Sequence, residues 1–297
     1  GYYYGIQNAT VPSITQIVEQ ISRLSFVFIL LIIFPGSAEH NCIIAVWGIV
    51  VGEIVSAVYN VYKYMHQPKK DKANALSSFR HGLRHYSVPL LSLSTSLTGT
   101  KLVIALLHSA ESVFIAAALR QYGCSTKEAL SIYGIISGMV MPFILFPSSI
   151  TNAIALMLLP AVATSSSDGD HAKVHRYFST SNKYSLLLGG ACTAFFMIFG
   201  NFLGDFCFHD QTAGEFLRLF SLLCPFLYMS TTLTSIINGL GKTKDTFLIT
   251  CVSQSMKLFC LVALVPHFGI MAYIYGTILS QAFMALLCYL TARHLLA

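Results

Sequence analysis

Eight long apolar stretches divide this chain and constrain its fold more than any other feature. A helix that crosses a bilayer needs about 20 mostly apolar residues, and each stretch is that long. Only 10% of the residues are charged, 55% are hydrophobic and the mean hydropathy is +0.67, so the chain lacks the charged surface of a soluble globule. We therefore expect an all-α polytopic membrane protein. The predicted spans are residues 11–34, 42–64, 86–118, 130–163, 184–205, 215–238, 246–266 and 269–292.

The third and fourth stretches are longer than one straight span requires, yet too short for two spans and a turn. Each is predicted to form a single long helix that is tilted or kinked. The fourth contains Pro142, Pro147 and Pro160, and a proline inside a helix removes a backbone hydrogen bond and bends the helix. We name Pro142 and Pro147 as conformational hinge candidates, with a fixed bend as the alternative.

The distribution of Lys and Arg predicts the orientation of the spans, because cytoplasmic loops carry an excess of these residues. If the loop at 65–85 is cytoplasmic, the outer side keeps only Arg120 and Lys127. Both ends of the chain are then expected in the cytoplasm. The cations assigned to the cytoplasmic side are Lys63, Lys69, Lys70, Lys72, Arg80, Arg84, Lys173, Arg176, Lys183, Lys242, Lys244 and Arg293.

An internal repeat relates residues that lie 234 positions apart. Six spans separate the two copies, so both run in the same direction, which describes two parallel halves of about six helices each. The first half would then lack four helices here, and the start Gly-Tyr-Tyr-Tyr, without methionine, leads us to expect a missing N-terminal segment. The aligned pairs are Val18 with Val252, Gln20 with Gln254, Arg23 with Lys257 and Leu24 with Leu258.

Six ionisable residues inside the spans are the candidates for a substrate or ion cavity. Such residues are costly in a bilayer and face a cavity or a partner. A hydroxyl-rich run at residues 87–100 would suit a wet cavity wall, whereas purely structural pairs at helix interfaces are the alternative. The spacing of Glu19 and Arg23 allows them to pair on one helix face. The candidates are Glu19, Arg23, Glu53, Lys101, Glu111 and Lys257.

Other patterns are interpreted as structural. Glycine pairs four residues apart, at 48 and 52, 134 and 138, and 200 and 204, predict close helix packing. The histidine pairs at 81 and 85 and at 171 and 175 lack a nearby third ligand, and the eight cysteines form no CxxC pair, so no metal site is predicted. No nucleotide-binding motif is present. We expect no cofactor, no nucleotide, no nucleic acid partner and no enzymatic activity, and transport would be driven by an H⁺ or Na⁺ gradient or by the substrate's own gradient.

Three sequence motifs resemble one family. Residues 133–162, YGIISGMVMPFILFPSSITNAIALMLLPAV, are similar to a signature stretch of the stage V sporulation protein B-like members of the multidrug/oligosaccharidyl-lipid/polysaccharide exporter superfamily. Residues 1–8 together with 16–23 resemble the start of that family's fifth helix, and residues 238–244 resemble its loop between helices ten and eleven. The resemblance runs along essentially the whole chain.

The resemblance implies a MATE-like bundle of two six-helix lobes around a central cavity that opens to each side in turn. About eight helices, equivalent to helices five to twelve, would be present here. Residues 1–65 would be the last two helices of the N-terminal lobe, 66–85 a basic cytoplasmic linker and 86–297 the C-terminal six-helix lobe. Glu111 would lie in a cavity-forming helix, where family members commonly carry an acidic residue. With half of the cavity wall missing, this stretch alone would not transport.

The resemblance also implies a function in a bacterial plasma membrane, where such proteins flip lipid-linked sugars for polysaccharide, peptidoglycan or spore-wall synthesis. The expected partners are a lipid-linked sugar and membrane lipids. Arg23, Lys101 and Lys257 would attract the pyrophosphate, and the acidic candidates would tune them or take up a coupling ion. A cation-coupled multidrug exporter of the same superfamily and a non-transporting scaffold in envelope assembly are the alternatives.

Overall fold

A computed structural model describes residues 10–66 and 102–296, apart from the side chains at positions 12, 38 and 39. Eight helices in these ranges are long and apolar enough to cross a membrane. The chain divides into two compact units, Gly1–Ser92 and Leu93–Ala297, which we call unit 1 and unit 2. The expectation of an all-α polytopic membrane protein is confirmed.

Unit 1 contains a helical hairpin of α1, Thr10–Ile33, and α2, Ala38–Met65. Ser37 caps α2 by accepting a hydrogen bond from the backbone N–H of His40. Gly48 and Gly52 of α2 lie against α1. A Cβ at Gly48 would come within 2.2 Å of the Val27 side chain, so only glycine allows this approach.

Unit 2 contains six described helices that are joined by short turns. Four of these turns contain a glycine with positive φ, at positions 123, 169, 241 and 269. The helices are α3, Leu102–Tyr122; α4, Thr126–Ser167; α5, His171–Phe208; α6, Gln211–Gly239; α7, Thr243–Phe268; and α8, Ile270–Leu296.

Helix α6 is the centre of unit 2, because it packs against α4, α5 and α8 and is the most buried of the six helices. One apolar cluster surrounds Phe220 and Tyr228 and includes side chains of α3 and α8. A second surrounds Leu233 and Ile236 at the other end of α6. Hydrogen bonds add to this packing: Tyr228 donates to the carbonyl oxygen of Ile144, at 2.9 Å, and so joins α6 to α4.

Helix α4 is one continuous helix of 42 residues, as the length of the apolar stretch at 130–163 predicts. Pro147 and Pro160 lie inside it, and a π-helical segment, Ile136–Val140, precedes Pro142. Insertions of this kind relieve a strained hydrogen-bond ladder and accompany bends. Ser125 and Glu128 form a capping box that fixes where the helix begins.

Helix α5 begins well before the predicted span, which started at residue 184. Residues 171–183 are mostly polar or basic, so their hydropathy did not assign them to a membrane span. Polar and basic residues are compatible with a helix, however, and the helix extends through them. Asp170 caps this extension by accepting the Lys173 N–H at 3.0 Å. The same hydrogen bond holds the pKa of Asp170 below its usual range.

The packing prediction holds for two of the three glycine pairs. Gly200 and Gly204 of α5 approach α6 so closely that a Cβ at Gly204 would lie 2.5 Å from the Gly214 Cα. The prediction for Gly134 and Gly138 is wrong within the described residues, since a Cβ at either would meet nothing within 4 Å. Both lie on an exposed face of α4, beside or within the π-helical segment, which shows that spacing alone does not identify a packed face.

Candidate functional site

The strongest polar site in the described residues is a buried carboxylate at the meeting point of three helices of unit 2. Glu111 of α3 is 8% exposed and contacts two other helices. The Lys257 Nζ of α7 lies 2.6 Å from Glu111 Oε2, and the Tyr273 hydroxyl of α8 donates to Glu111 Oε1 at 2.7 Å. Both carboxylate oxygens are therefore paired. We call Glu111, Lys257, Tyr273 and His108 the Glu111 cluster.

The two partners of Glu111 belong to one helical hairpin. Helices α7 and α8 are separated only by Gly269, whose φ of +67° favours glycine. A Cβ at Gly269 would lie 2.9 Å from the Tyr122 ring, so the turn rests on the end of α3. Tyr273 belongs to an apolar cluster that also includes Ile115, Leu261 and Ile274 of the same three helices.

His108 connects the cluster to the surface of unit 2. Its Nδ1 lies 3.3 Å from Glu111 Oε2, one helical turn away on α3. The His108 side chain is 54% exposed, whereas that of Glu111 is 10% exposed. The cluster thus extends from a buried acid to an accessible imidazole.

This arrangement combines a cation, an acid and two further proton-carrying groups in an apolar setting. A buried pair of opposite charges is costly to desolvate, and removal of one partner leaves an uncompensated charge. The Lys257 ammonium has three N–H donors, so it can contact an anionic oxygen while it still contacts Glu111. Chemically, the cluster can bind an anion or exchange a proton.

Unit 1 holds a second, separate ion pair. The Arg23 Nη2 of α1 lies 2.7 Å from Glu19 Oε1, which is the pairing that their spacing predicted. A Cβ at Gly52 would lie 3.3 Å from the Arg23 Cβ, so a larger residue at position 52 would crowd the side chain that forms the ion pair. The Arg23 Nε is buried and has no hydrogen-bond partner among the described residues.

The other cavity candidates do not join these clusters. Glu53 is exposed on α2 and forms no ion pair within residues 10–66 and 102–296. Lys101 and the hydroxyl-rich run at 87–100 lie outside the described residues, as do the motif at 1–8 and most of the proposed linker at 66–85. The cations that the repeat aligns, Arg23 and Lys257, both contact a glutamate, but Arg23 does so on its own helix and Lys257 across helices.

The sequence analysis missed two residues of the Glu111 cluster. His108 was detectable, because it lies three residues before Glu111 and therefore on the same helix face. Tyr273 was not, since its contact with Glu111 depends on how α8 packs against α3. Tyrosine is also common in apolar stretches, so its presence alone carries no signal.

The hinge candidates lie on an apolar cavity in unit 2. Pro142 and Pro147 line it together with residues of α5, and its volume is about 820 Å³. The wall is almost wholly apolar, with phenylalanines from both helices. The further lining residues are Phe143, Phe146, Ala191, Cys192, Phe195, Phe196 and Leu203.

Comparisons with known proteins agree with this architecture. The sequence is 24% identical to stage V sporulation protein B of Bacillus subtilis (strain 168) over 291 residues, which cover 97% of this chain and 56% of that protein. It is 23% identical to sporulation protein YkvU of the same organism over 250 residues, or 83% of this chain and 55% of that protein. The chain thus spans about half the length of the curated relatives it matches.

A solved structure shows the same fold. The crystal structure of the Vibrio cholerae MATE transporter VcmN in the bent form matches with a TM-score of 0.63 and 16% identity, over 97% of this chain and 63% of that one. The resemblance to the exporter superfamily is confirmed. The model of the MatE family matches residues 102–261, more than half of the sequence and the region that holds Glu111 and Lys257. The chain therefore belongs to the MatE family.

Proposed function

We propose that this chain is part of a transporter that flips lipid-linked oligosaccharides, or related polysaccharide or peptidoglycan precursors, across a bacterial plasma membrane by alternating access. The observation that carries the proposal is the Lys257 ammonium, which is held on Glu111 inside an apolar helix bundle. Ionisable groups at such positions mark substrate or ion pathways. The sporulation names of the two relatives support a function in envelope or spore-wall synthesis.

The chemistry of the substrate fits the residues of the site. A pyrophosphate-linked sugar has an anionic head, while its polyprenyl tail can stay in the lipid. Lys257 would bind the phosphates. Glu111 would hold Lys257 in place until the anion arrives. If both residues of the pair are needed, replacement of either one by a neutral residue should impair flipping.

The driving force and the topology are part of the proposal. An H⁺ or Na⁺ gradient, or the gradient of the substrate itself, would drive transport, with Glu111 as the group that responds to the ion. Both ends of the chain would lie in the cytoplasm, because the basic loops then fall on that side.

The first test is a lipid extraction from cells depleted of the full-length protein. Mass spectrometry measures polyprenyl-pyrophosphate sugars, and a dye-efflux assay is run on the same cells. We expect the lipid-linked sugars to accumulate while efflux stays normal. Lost efflux with a flat lipid profile would instead favour a cation-coupled multidrug exporter. If neither the lipid-linked sugars nor dye efflux changed, the result would contradict both transport functions and favour a non-transporting scaffold.

Variants of the full-length protein connect this function to the site. Lys257→Gln should cause accumulation of lipid-linked sugars, because it removes the cation that contacts the buried carboxylate of Glu111. Lys244→Gln, at an exposed position in the first turn of α7, is the matched control and should be silent. The double change Glu111→Gln and Lys257→Gln restores neutrality. If it also restored flipping, the charges would serve structure only and the proposed anion site would be wrong.

A further inference from the structure

We propose that His108 is the proton-transfer residue of the Glu111 cluster, which passes a proton from the surface of unit 2 to the buried carboxylate and so releases Lys257. The proposal concerns the site of the proposed function but not its substrate. Its test needs no sugar or lipid carrier, so the two proposals can fail separately.

Geometry places His108 on the path. The imidazole Nδ1 lies 3.3 Å from Glu111 Oε2, the same oxygen that Lys257 contacts at 2.6 Å. The ring is half-exposed, whereas Glu111 and Lys257 are both nearly buried. A histidine on a spanning helix is expected to face a cavity rather than lipid. Among the described residues, His108 is thus the accessible group that contacts the carboxylate.

The groups around Glu111 determine what happens to Lys257 when the carboxylate loses its charge. From α7, Lys257 faces Glu111, and from α8 the Tyr273 hydroxyl does. Tyr133 of α4 packs against the apolar cluster that contains Tyr273. No second acid accompanies Glu111, because Lys257 forms no ion pair with any other carboxylate among residues 10–66 and 102–296. Loss of the charge on Glu111 therefore leaves Lys257 without a counter-charge.

The step is a simple proton transfer. The Nδ1–H bond of the His108 imidazolium breaks and an O–H bond forms at Glu111 Oε2, which leaves a neutral imidazole and a neutral carboxylic acid. No redox change occurs. Lys257 keeps its charge and can now turn to an anionic oxygen, while the imidazole regains a proton from water. Histidine suits this task because its charge changes within the physiological pH range.

The experiment measures the rate at which Glu111 takes up a proton. The full-length protein is placed in lipid nanodiscs, the pH is lowered rapidly, and time-resolved infrared spectroscopy follows the carbonyl band of the protonated carboxyl group. Glu111→Gln assigns the band by removing it. His108→Ala is compared with the wild type, with and without added imidazole, and His108→Gln provides a variant of similar size. His175→Ala replaces an exposed histidine of α5 and serves as the control.

We expect His108→Ala and His108→Gln to slow the appearance of the band at least about a hundredfold, the lower end of the usual contribution of a positioned acid or base. Added imidazole should restore the rate in His108→Ala, and His175→Ala should leave it unchanged. A wild-type rate in both His108 variants would overturn the proposal. So would a slow rate that imidazole does not restore, or the lack of a Glu111-dependent band at any pH at which the helices remain folded.

Discussion

At the scale of single residues, Glu111 is the group on which the charges and hydrogen bonds of unit 2 converge. It is nearly buried, and its two carboxylate oxygens receive partners from two other helices. A buried acceptor that loses its donor pays the desolvation cost without compensation. The contacts of Glu111 therefore stabilise the packing of α3 against α7 and α8. This structural contribution is separate from the role in transport that we propose for them.

Replacement of Tyr273 by phenylalanine tests this structural contribution. Tyr273→Phe keeps the ring but removes the donor to Glu111 Oε1, and we expect a loss of about 1–3 kcal/mol in the free energy of unfolding. Thermal unfolding in lipid nanodiscs measures it. Tyr275→Phe, at a position that is 57% exposed on the same helix, should change stability by less than about 0.5 kcal/mol. Equal effects of the two changes would contradict a role for the hydroxyl.

The sequence predicts contacts of this kind only where they are local. Glu19 and Arg23 share a helix face, so their spacing was enough to predict the pair that the structure forms. Glu111 and Lys257 were each identified as costly intramembrane charges, but nothing in the sequence joined them. Their contact arises from the packing of α3 against the α7–α8 hairpin, and such packing depends on the whole fold of the unit.

At the scale of helices, α5 and α6 are held together by a close backbone approach. A Cβ at Gly189 of α5 would lie 2.3 Å from the Pro225 Cα of α6, whereas one at the adjacent Gly190 would meet nothing within 4 Å. On the same two helices, the Thr193 hydroxyl of α5 donates to the carbonyl oxygen of Ser221 of α6 at 2.8 Å. The glycine therefore sets the distance between the two helices.

Two neighbouring glycines provide a matched test of this distance. Gly189→Ala should destabilise the protein by about 1–3 kcal/mol, because the methyl group forces the helices apart. Gly190→Ala should be neutral or stabilise by up to about 1 kcal/mol, since alanine is the better helix former. Thermal unfolding of both variants decides the question. A Gly189→Ala variant as stable as Gly190→Ala would show that the contact is not tight.

Substitutions with a matched control can also test whether the prolines of α4 form a hinge. Pro142→Ala and Pro147→Ala restore backbone donors beside the π-helical segment and should stiffen the helix. If these prolines act as hinges, both changes will raise the level of accumulated lipid-linked sugars in cells while thermal stability stays equal or rises. Pro160→Ala, in the same helix but away from the cavity, is the control. A normal lipid profile in the first two variants would make the prolines a fixed bend.

At the scale of the whole molecule, the sequence predicts which side of the membrane each turn faces. The fold alone does not test this prediction. The Lys and Arg distribution places the turn between α1 and α2, and the end of α5, on the outer side. Cys42 and Cys207 lie near these points and are both exposed. They are natural reporters of which side each turn faces.

Thiol labelling measures this orientation directly. In full-length variants that keep a single cysteine, a membrane-impermeant maleimide should label Cys42 or Cys207 on intact cells. A cysteine introduced by Ser167→Cys, at the exposed end of α4, should react only after the cells are permeabilised. The opposite pattern would reverse the proposed topology and place both ends of the chain outside.

The single-residue turn at Gly269 has a mechanical consequence for any movement within unit 2. Lys257 and Tyr273 sit on helices that this turn ties together, and both hold the same carboxylate on α3. If α3 moves away from the hairpin as a whole, it loses a contact with each of the two helices, because Gly269 alone joins them. Events at one acid are thereby connected to the positions of three helices, through two contacts that attach to different oxygens of the same carboxylate.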